Sequence, residues 1–537
     1  MLFVGYAESS AQDLPIKGLY DDYLRVLQLD GRIPVQTEAL QPNAFDKIIQ
    51  LDTLRNHPWS EIDAPTMGMI RNEKFMLAPY DPLWQTYWHA TKPGGKHDGP
   101  VWQGRGWTSA ISTGFFIKYG FLSASFHPYL IYNQNRSFTL SPYQASPEYS
   151  HFAYPLGSID WPQRFGNGPF WTFDPGPSYI RADVHGWAAG ISNENLWWSP
   201  AIQNSILMSN NAPGFRHIFF GTNEPKNIYI GSLEANLFWG KLLESDYFDY
   251  NQVNNERYIT GMVLAFHPKP IPNLTLGAGR TFYETIPREG IPVGDLFNVF
   301  EAFTKIHFAK EQHNGGNDRS DQMISLFGRW VFPKSGFELY AEWARNDHSW
   351  NWRDFIDEPG HSRGYTIGFQ KTFNLQNDDI LAVNAEITQL SASKTSIFRG
   401  FPTFYQHHIV KQGYSNKGQL LGAAIGPGGE SEYLGGKWYF GNGRLNVWTQ
   451  RVVKNNDFLY RSDAMLNPDL KNGKSDKYWL HNVQLNIGAS LTWFYNQWEA
   501  TVGMRLGREF NENYIYKNDH TRTGLQLSIR YRLSSLR

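Results

Sequence analysis

From Val483 to Trp493 every second residue is apolar: Val483, Leu485, Ile487, Ala489, Leu491 and Trp493 alternate with Gln484, Asn486, Gly488, Ser490 and Thr492. A repeat of two is the period of a β-strand, so the segment has one greasy and one wet face. The pattern returns at Trp498, Ala500, Val502, Met504 and Leu506, and again at Leu525, Leu527, Ile529, Tyr531 and Leu533. Strands of this kind line a transmembrane barrel, with lipid outside and a polar lumen inside.

The connectors point the same way. Outer-membrane barrels alternate short periplasmic turns with long external loops. Here Arg508–Gly524 and Lys454–Tyr478 are long and polar, whereas Phe494–Gln497 and Gly441–Arg444 are tight. Trp493, Phe494, Tyr495 and Trp498 cluster at a short turn, where an aromatic girdle meets lipid headgroups. Upstream, Ile324–Trp330, Phe337–Trp343, Tyr365–Phe373 and Leu381–Ile387 repeat the strand period around the short turn Pro333–Gly336 and the long loop Arg345–His361. Strands are expected from near Trp107 onward, with Ile111–Tyr119 and Leu122–Tyr132 as a hairpin around Gly120. A soluble β-sandwich is the alternative, but its loops need not alternate in length.

Composition narrows the function. The chain has 537 residues, 16% aromatic and only 18% charged, an unusual pairing for a cytosolic enzyme. No apolar run approaches the roughly 18 residues of a membrane-crossing helix, so any bilayer is crossed by strands. With 49 basic and 50 acidic residues there is no polycationic field, and no nucleic-acid partner is expected. The absence of cysteine removes disulfides, thiol nucleophiles and cysteine-based metal sites. His407 and His408 are adjacent, and would point to opposite faces of a strand with no third ligand nearby, so no metal site is expected. Without a G-x-x-x-x-G-K-S/T or strand-to-helix G-x-G-x-x-G motif, no nucleotide cofactor is expected either.

The N-terminal residues read differently. Residues 1–11 fit the tail of a secretory signal, with Ser9, Ser10 and Ala11 at its small-residue end, or an ordinary disordered terminus. Residues 12–100 suggest a helical module: Tyr20, Tyr23, Leu24 and Leu27 recur at helical spacing before Gly31, and Asn43 caps a second run of Phe45, Ile48 and Ile49. Pro79, Pro82 and the run Pro93, Gly94, Gly95 then break the chain. Such a module needs a host for its apolar faces, most simply the periplasmic mouth of a barrel formed by residues 101–537.

Several stretches carry a resemblance. Trp161, Arg164 and Gly166, then Gly176, Arg181, Asp183, His185, Gly186 and Trp187, then Gly190, Trp197, Trp198 and Pro200, then Asn210, Asn211, Ala212, Gly214 and Phe215 resemble the signature of the Wzi capsule-assembly family. Phe337–Trp343 and Gly413–Gly428, with Tyr414 and Gln419, are similar to it as well. The resemblance implies an all-β transmembrane fold, a large antiparallel outer-membrane β-barrel of about 18 strands closed at its periplasmic side by N-terminal helices. It also implies a non-enzymatic lectin that attaches or organises capsular polysaccharide or exopolysaccharide at the cell surface. The expected partners are that polysaccharide, outer-membrane lipid and the barrel-assembly machinery, with a monomer as the expected state. The tail departs from this pattern, because Ser534–Arg537 follow Leu533 where a terminal aromatic is usual.

Sugar binding needs flat apolar faces for rings and directional polar groups for hydroxyls. The loop with Arg345, His348, Trp350, Trp352, Arg353 and His361 has that mixture; the alternative is a loop folded on its own aromatics, with Arg345 and His361 paired to Asp357 or Glu358. Arg181, Asp183, His185, Asn210 and Asn211 read as a polar lumen network. Glu338 and Glu342 share a strand face at a spacing of about 13 Å, beyond the ~5 to 9.5 Å of paired glycosidase carboxylates. A sugar-selective porin has the same strand pattern and is the alternative function.

Overall fold

The alternation of the C-terminal segments continues around a closed sheet. The computed structural model describes residues 18–41, 56–60, 62, 70–72, 74–143, 146–155, 159–300, 320–346, 352–393, 403–461 and 477–533. Strands β1 (Phe75–His89), β2 (Gly106–Tyr119), β3 (Leu122–Phe126 continued by Tyr129–Asn133) and β4 (Phe170–Asp174 continued by Tyr179–Val184) come first. Next are β5 (Trp187–Ser192), β6 (His217–Thr222), β7 (Gly231–Leu243), β8 (Glu256–Pro268) and β9 (Leu274–Thr285). Then follow β10 (Ser320–Phe332), β11 (Phe337–Asn346), β12 (Arg363–Asn374) and β13 (Ile380–Gln389). Strands β14 (Glu430–Phe440), β15 (Gly443–Val453), β16 (Val483–Tyr495), β17 (Trp498–Phe510) and β18 (His520–Tyr531) complete an antiparallel barrel of 18. Closure is direct: Trp84 of β1 lies opposite Ile529 of β18, and Thr86 opposite Leu527.

Facing follows the expected parity. Leu485, Ile487, Leu491, Val502 and Met504 are exposed on the outer wall, while Gln484, Asn486 and Thr492 are buried inside. In the middle of the chain Leu326, Trp330 and Leu339 face outward, and Ser325, Arg329, Glu338 and Glu342 inward. The hinge from β17 to β18 is shorter than read from the sequence, because β17 runs to Phe510 and β18 begins at His520.

Two expectations are corrected. The barrel begins at Phe75, ahead of residues 101 and 107, so the last part of the 12–100 segment is strand. Its prolines are tolerated for a local reason. Pro79 lies on the stretch of β1 that pairs with β2 alone, and Pro82 falls where the β1–β2 register slips between Tyr80 and Leu83. The strand expected over Leu122–Tyr132 is broken at His127 and Pro128, opposite a break in β4 at residues 175–178. Proline has no N–H for the ladder, and the gap is bridged by the His127 N–H donating to Ser178 Oγ at 3.0 Å.

Helix α1 (Leu19–Leu29) forms as expected from the spacing of Tyr20, Tyr23, Leu24 and Leu27. It ends where Gly31 adopts φ +72°, and the Arg32 N–H returns to Leu27 O at 3.0 Å. The helix sits at the short-turn end, its apolar face packed with Trp59 against Ile380, Tyr439 and Phe494 of the wall. Trp59 Nε1 donates to Gly443 O at 3.1 Å, Lys437 Nζ to Asp22 at 2.6 Å and Asn374 Nδ2 to Asp30 at 2.7 Å. The second helix expected after Asn43 lies outside the described residues.

The lumen is filled as well as lined. Two inward-folded segments, 193–216 and 403–429, bring Trp198, Ile206, Leu207, Met208, Tyr405, Tyr414 and Leu421 against Phe238, Ile259, Val263 and Met323 of the wall. Each such buried side chain contributes about 1.5–3 kcal/mol relative to exposure. The polar-lumen rule therefore yields on this side of the barrel to a true hydrophobic core.

Candidate functional site

What the core leaves open is a cleft at the long-loop end. A cavity of about 310 Å³ lies among the loop after β1, the segment before β4, the inward-folded segments and the loops after β15 and β17. Trp102, Tyr154, Trp161, Phe458 and Tyr514 supply aromatic faces to it. Lys92, Lys96, Lys454, Arg505 and Arg522 supply cations, and Gln103, Gln163, Asn211, Gln419, Asn482 and Gln484 supply amides. A second chamber of about 290 Å³ continues along β1 and β15–β18, past Tyr87, His89, Trp448, Gln450 and Asn486.

Local geometry fixes the cleft's inner lip. The loop after β1 is pinned across itself by the Gly94 N–H donating to Gln103 O at 2.9 Å. It is pinned to the lumen core by the Gly99 N–H donating to Asn210 O at 2.9 Å and by Asn210 Nδ2 donating to His97 O at 2.9 Å. The His97 ring meets Trp197 edge-on at 5.3 Å. Lys96 Nζ donates to Gln203 at 2.8 Å and Gln450 at 3.2 Å, while Asp98 accepts from the Lys96 N–H at 2.9 Å and Gln103 Nε2 at 2.8 Å. On the opposite wall Gly426 has φ +87°, and a Cβ there would come within 2.7 Å of the Trp161 ring. Glycine is thus what lets the indole approach the turn so closely.

Loss of water shifts the charged groups of these loops. Desolvation lowers Lys96 to about 8 and Lys454 to about 8, and raises Asp98 to about 7. All three change charge near neutrality.

The sequence candidates divide among several places. Asn211 and Gln419 line the cleft, while Asn210 and Trp197 hold its lip. Arg181 Nε donates to Asp183 at 3.0 Å and Asn223 Nδ2 to Asp183 at 2.9 Å, a self-satisfied network on β4. His185 is not part of it: it occupies the β4–β5 turn with φ +49°, where its carbonyl accepts from Lys226 at 2.7 Å. Trp198 and Tyr414 are buried in the lumen core. Arg345 and His361 are buried and Arg353 is exposed on α2 (Trp352–Asp357), paired with Asp357 at 3.3 Å. None of these three lines the cleft. His348 and Trp350 lie outside the described residues, as does the side chain of Trp352.

Glu338 and Glu342 are tethers for the barrel's contents. Glu338 accepts from Arg25 of α1 at 2.7 Å, and Glu342 from the backbone N–H groups of Ile206 at 3.0 Å and Leu207 at 3.3 Å. Glu386, which the sequence reading missed, accepts from the N–H groups of Ile202, Gln203 and Asn204 at 2.8, 2.9 and 2.7 Å. An acid at an inward position of β13 was the signal available for it. Lys96, Trp102, Lys454 and Arg505 were also missed, because they come from separate connectors and a strand that only the fold brings together.

Fold and cleft together define an outer-membrane β-barrel with a packed lumen and an aromatic, cation-rich cleft at its long-loop mouth. A family model described as capsule assembly protein Wzi matches residues 120–523, and the chain belongs to that family. Among solved structures it is similar to Wzi of Escherichia coli, described as an outer membrane protein involved in group 1 capsule assembly and a carbohydrate-binding β-barrel. The two are 13% identical over 98% of this chain and 99% of that one, with a TM-score of 0.62. OccAB3 of Acinetobacter baumannii is 10% identical over 85% of this chain and 98% of that one, with a TM-score of 0.40. No curated protein matches the chain by sequence.

Proposed function

We propose that this protein is a non-enzymatic lectin of the bacterial outer membrane, whose cleft holds capsular or other surface polysaccharide and helps anchor it to the cell. The observation that carries this reading is the cleft itself: Trp102, Tyr154 and Trp161 beside Gln103, Gln163, Asn211 and Gln419, above a lumen filled by protein. Flat rings and fixed amides are what sugar faces and hydroxyls require. The long-loop end faces outward and α1 the periplasm, following the asymmetry of barrels of this class. Lipid surrounds the outer wall, the assembly machinery inserts it, and it works as a monomer. His348, Trp350, Trp352 and Arg353, from the connector after β11, form a second contact further along the polymer, to which the buried Arg345 and His361 contribute no exposed surface.

The test is retention of polysaccharide on cells with and without the gene, with direct binding to the purified barrel in detergent. Loss of the gene releases polymer into the medium; unchanged retention and no binding reject the reading. The polar chamber beneath the cleft favours one rival, a sugar-selective porin. Large, steady single-channel currents in planar bilayers support that rival.

A further inference from the structure

Five cations line the cleft, but only two of them have acidic partners. Lys92 Nζ pairs with Glu512 at 2.6 Å and Arg522 Nη1 with Glu509 at 2.6 Å, so both glutamates of this rim are engaged. Among the described residues, no carboxylate lies within ion-pair distance of Lys96, Lys454 or Arg505. Lys96 spends its bonds on two neutral amides, Gln203 and Gln450. Lys454 Nζ stands 5.9 Å over the Trp161 ring. Arg505 Nε is buried with no hydrogen-bond partner. In the ladder Arg505 lies opposite Gly488 on one side and Gly524 on the other, so neither neighbouring position offers a side chain to neutralise it.

These three side chains share a place. Lys96, Lys454 and Arg505 each line both the outer cleft and the deeper chamber, so they ring the junction between the two. Asp98 lines it too, but it is turned to the Lys96 N–H and to Gln103, and burial raises it to about 7, so that it carries only part of its charge at neutral pH. Half-buried cations with no carboxylate in contact, and only Asp98, Glu386 and Glu509 at longer range, are costly unless something pairs with them. A guanidinium presents a planar fork that matches a carboxylate, and two ammonium groups add charge without demanding one geometry.

We infer that this junction receives the carboxylate of an acidic sugar residue, a uronate, held by Arg505 with Lys96 and Lys454 while Trp161 carries the sugar ring. The inference rests on the lectin reading and specifies its ligand. Neutral stretches of the polymer then occupy the outer cleft, and the acidic residue sets the register at which the chain stops.

The test uses polysaccharide fragments cut from the surface of the producing bacterium, as isolated and after chemical reduction of their carboxylates to alcohols. Binding is measured to the full-length barrel in detergent. Carboxyl reduction is expected to weaken binding at least tenfold, and Arg505→Gln to weaken binding of the acidic fragments alone, leaving the reduced ones as before. Equal binding of both fragment types, or fragments that bind yet contain no carboxylate, overturns the inference while the lectin reading stands. Failure of both types to bind overturns the lectin reading and this inference with it. Should Arg505→Gln lose the heat-dependent gel shift of a folded barrel, the comparison of fragments on the unaltered protein decides alone.

Discussion

Arg25 of α1 and Glu338 of β11 meet at 2.7 Å inside the barrel, and the second oxygen of the same carboxylate accepts from Arg329 of β10 at 2.6 Å. The helix that caps the short-turn end is therefore fixed to the wall by a charge pair with almost no access to water. Removing Arg25 leaves Glu338 with Arg329 as its partner, so the cost should fall below the ~3–5 kcal/mol of a fully unpaired buried charge. Arg25→Met should loosen α1: limited proteolysis should cut near residue 30 in the variant and not in the wild type, with the β-sheet circular dichroism unchanged. Identical cleavage would show that the apolar face of α1 holds the helix without the pair.

Lipid contact can be tested by position. Met504 lies at the centre of β17 and faces outward, half exposed at 50%. Met504→Arg should cost about 2–4 kcal/mol near the midplane, whereas Leu485→Arg, close to the end of β16, should cost about 1 kcal/mol or less. Asn486→Ala, on the inner face, should differ from both. Denaturant unfolding in lipid vesicles measures all three, and equal costs at Met504 and Leu485 would remove hydrocarbon from the outer wall.

Trp161 is one of the aromatic side chains that line the cleft. Trp161→Ala should weaken fragment binding roughly 2- to 13-fold, corresponding to the ~0.5–1.5 kcal/mol of an aromatic contact. Gly426→Ala should do the same without touching the ring's chemistry, because its Cβ would push the indole off the turn. The pair Trp350→Ala with Trp352→Ala tests the second contact: retention on cells should fall while the amount of folded protein stays constant. If only the Trp161 variant loses polymer, the loop after β11 has no part in binding.

Binding of an acidic fragment should fall as pH rises. Asp98, raised to about 7, gains negative charge first, and Lys96 and Lys454, lowered to about 8, then lose positive charge. The groups around Lys96 are Asp98, Glu386 and Arg505, and those around Lys454 are Glu509, Arg522 and Arg505. The fragment's own carboxylate, near 4, stays ionised throughout. Titration calorimetry between about pH 6 and about pH 9 should show at least a tenfold loss of affinity and proton uptake on binding at the alkaline end. A flat profile would take these loops out of the anion's reach.

The sequence announced the wall far better than the contents. Alternation along Val483–Trp493 and Phe337–Trp343 is a local property, set by which face meets lipid, and it survives in the structure residue by residue. The spacing of Tyr20, Tyr23, Leu24 and Leu27 was equally readable. β1 was not, because Pro79 and Pro82 obscure a strand whose partner, β18, lies at the far end of the chain. Nor were the segments 193–216 and 403–429, which have no period and acquire their shape only by packing on each other and on the wall. The cleft follows the same logic: Asn211 and Gln419 were found through resemblance, whereas Lys96, Lys454 and Arg505 meet only after closure.

Glu342 and Glu386 bind five consecutive or nearly consecutive peptide N–H groups between Ile202 and Leu207. Such a clasp can be made only once β11 and β13 stand side by side with β12 between them. Without the filling, the two acids keep the Ser325 and Tyr340 hydroxyls of the wall as donors and lose all five of these peptide groups. Wall and filling thus hold each other, and mutations inside the filling should register as defects in the assembled barrel before they register as defects in grip.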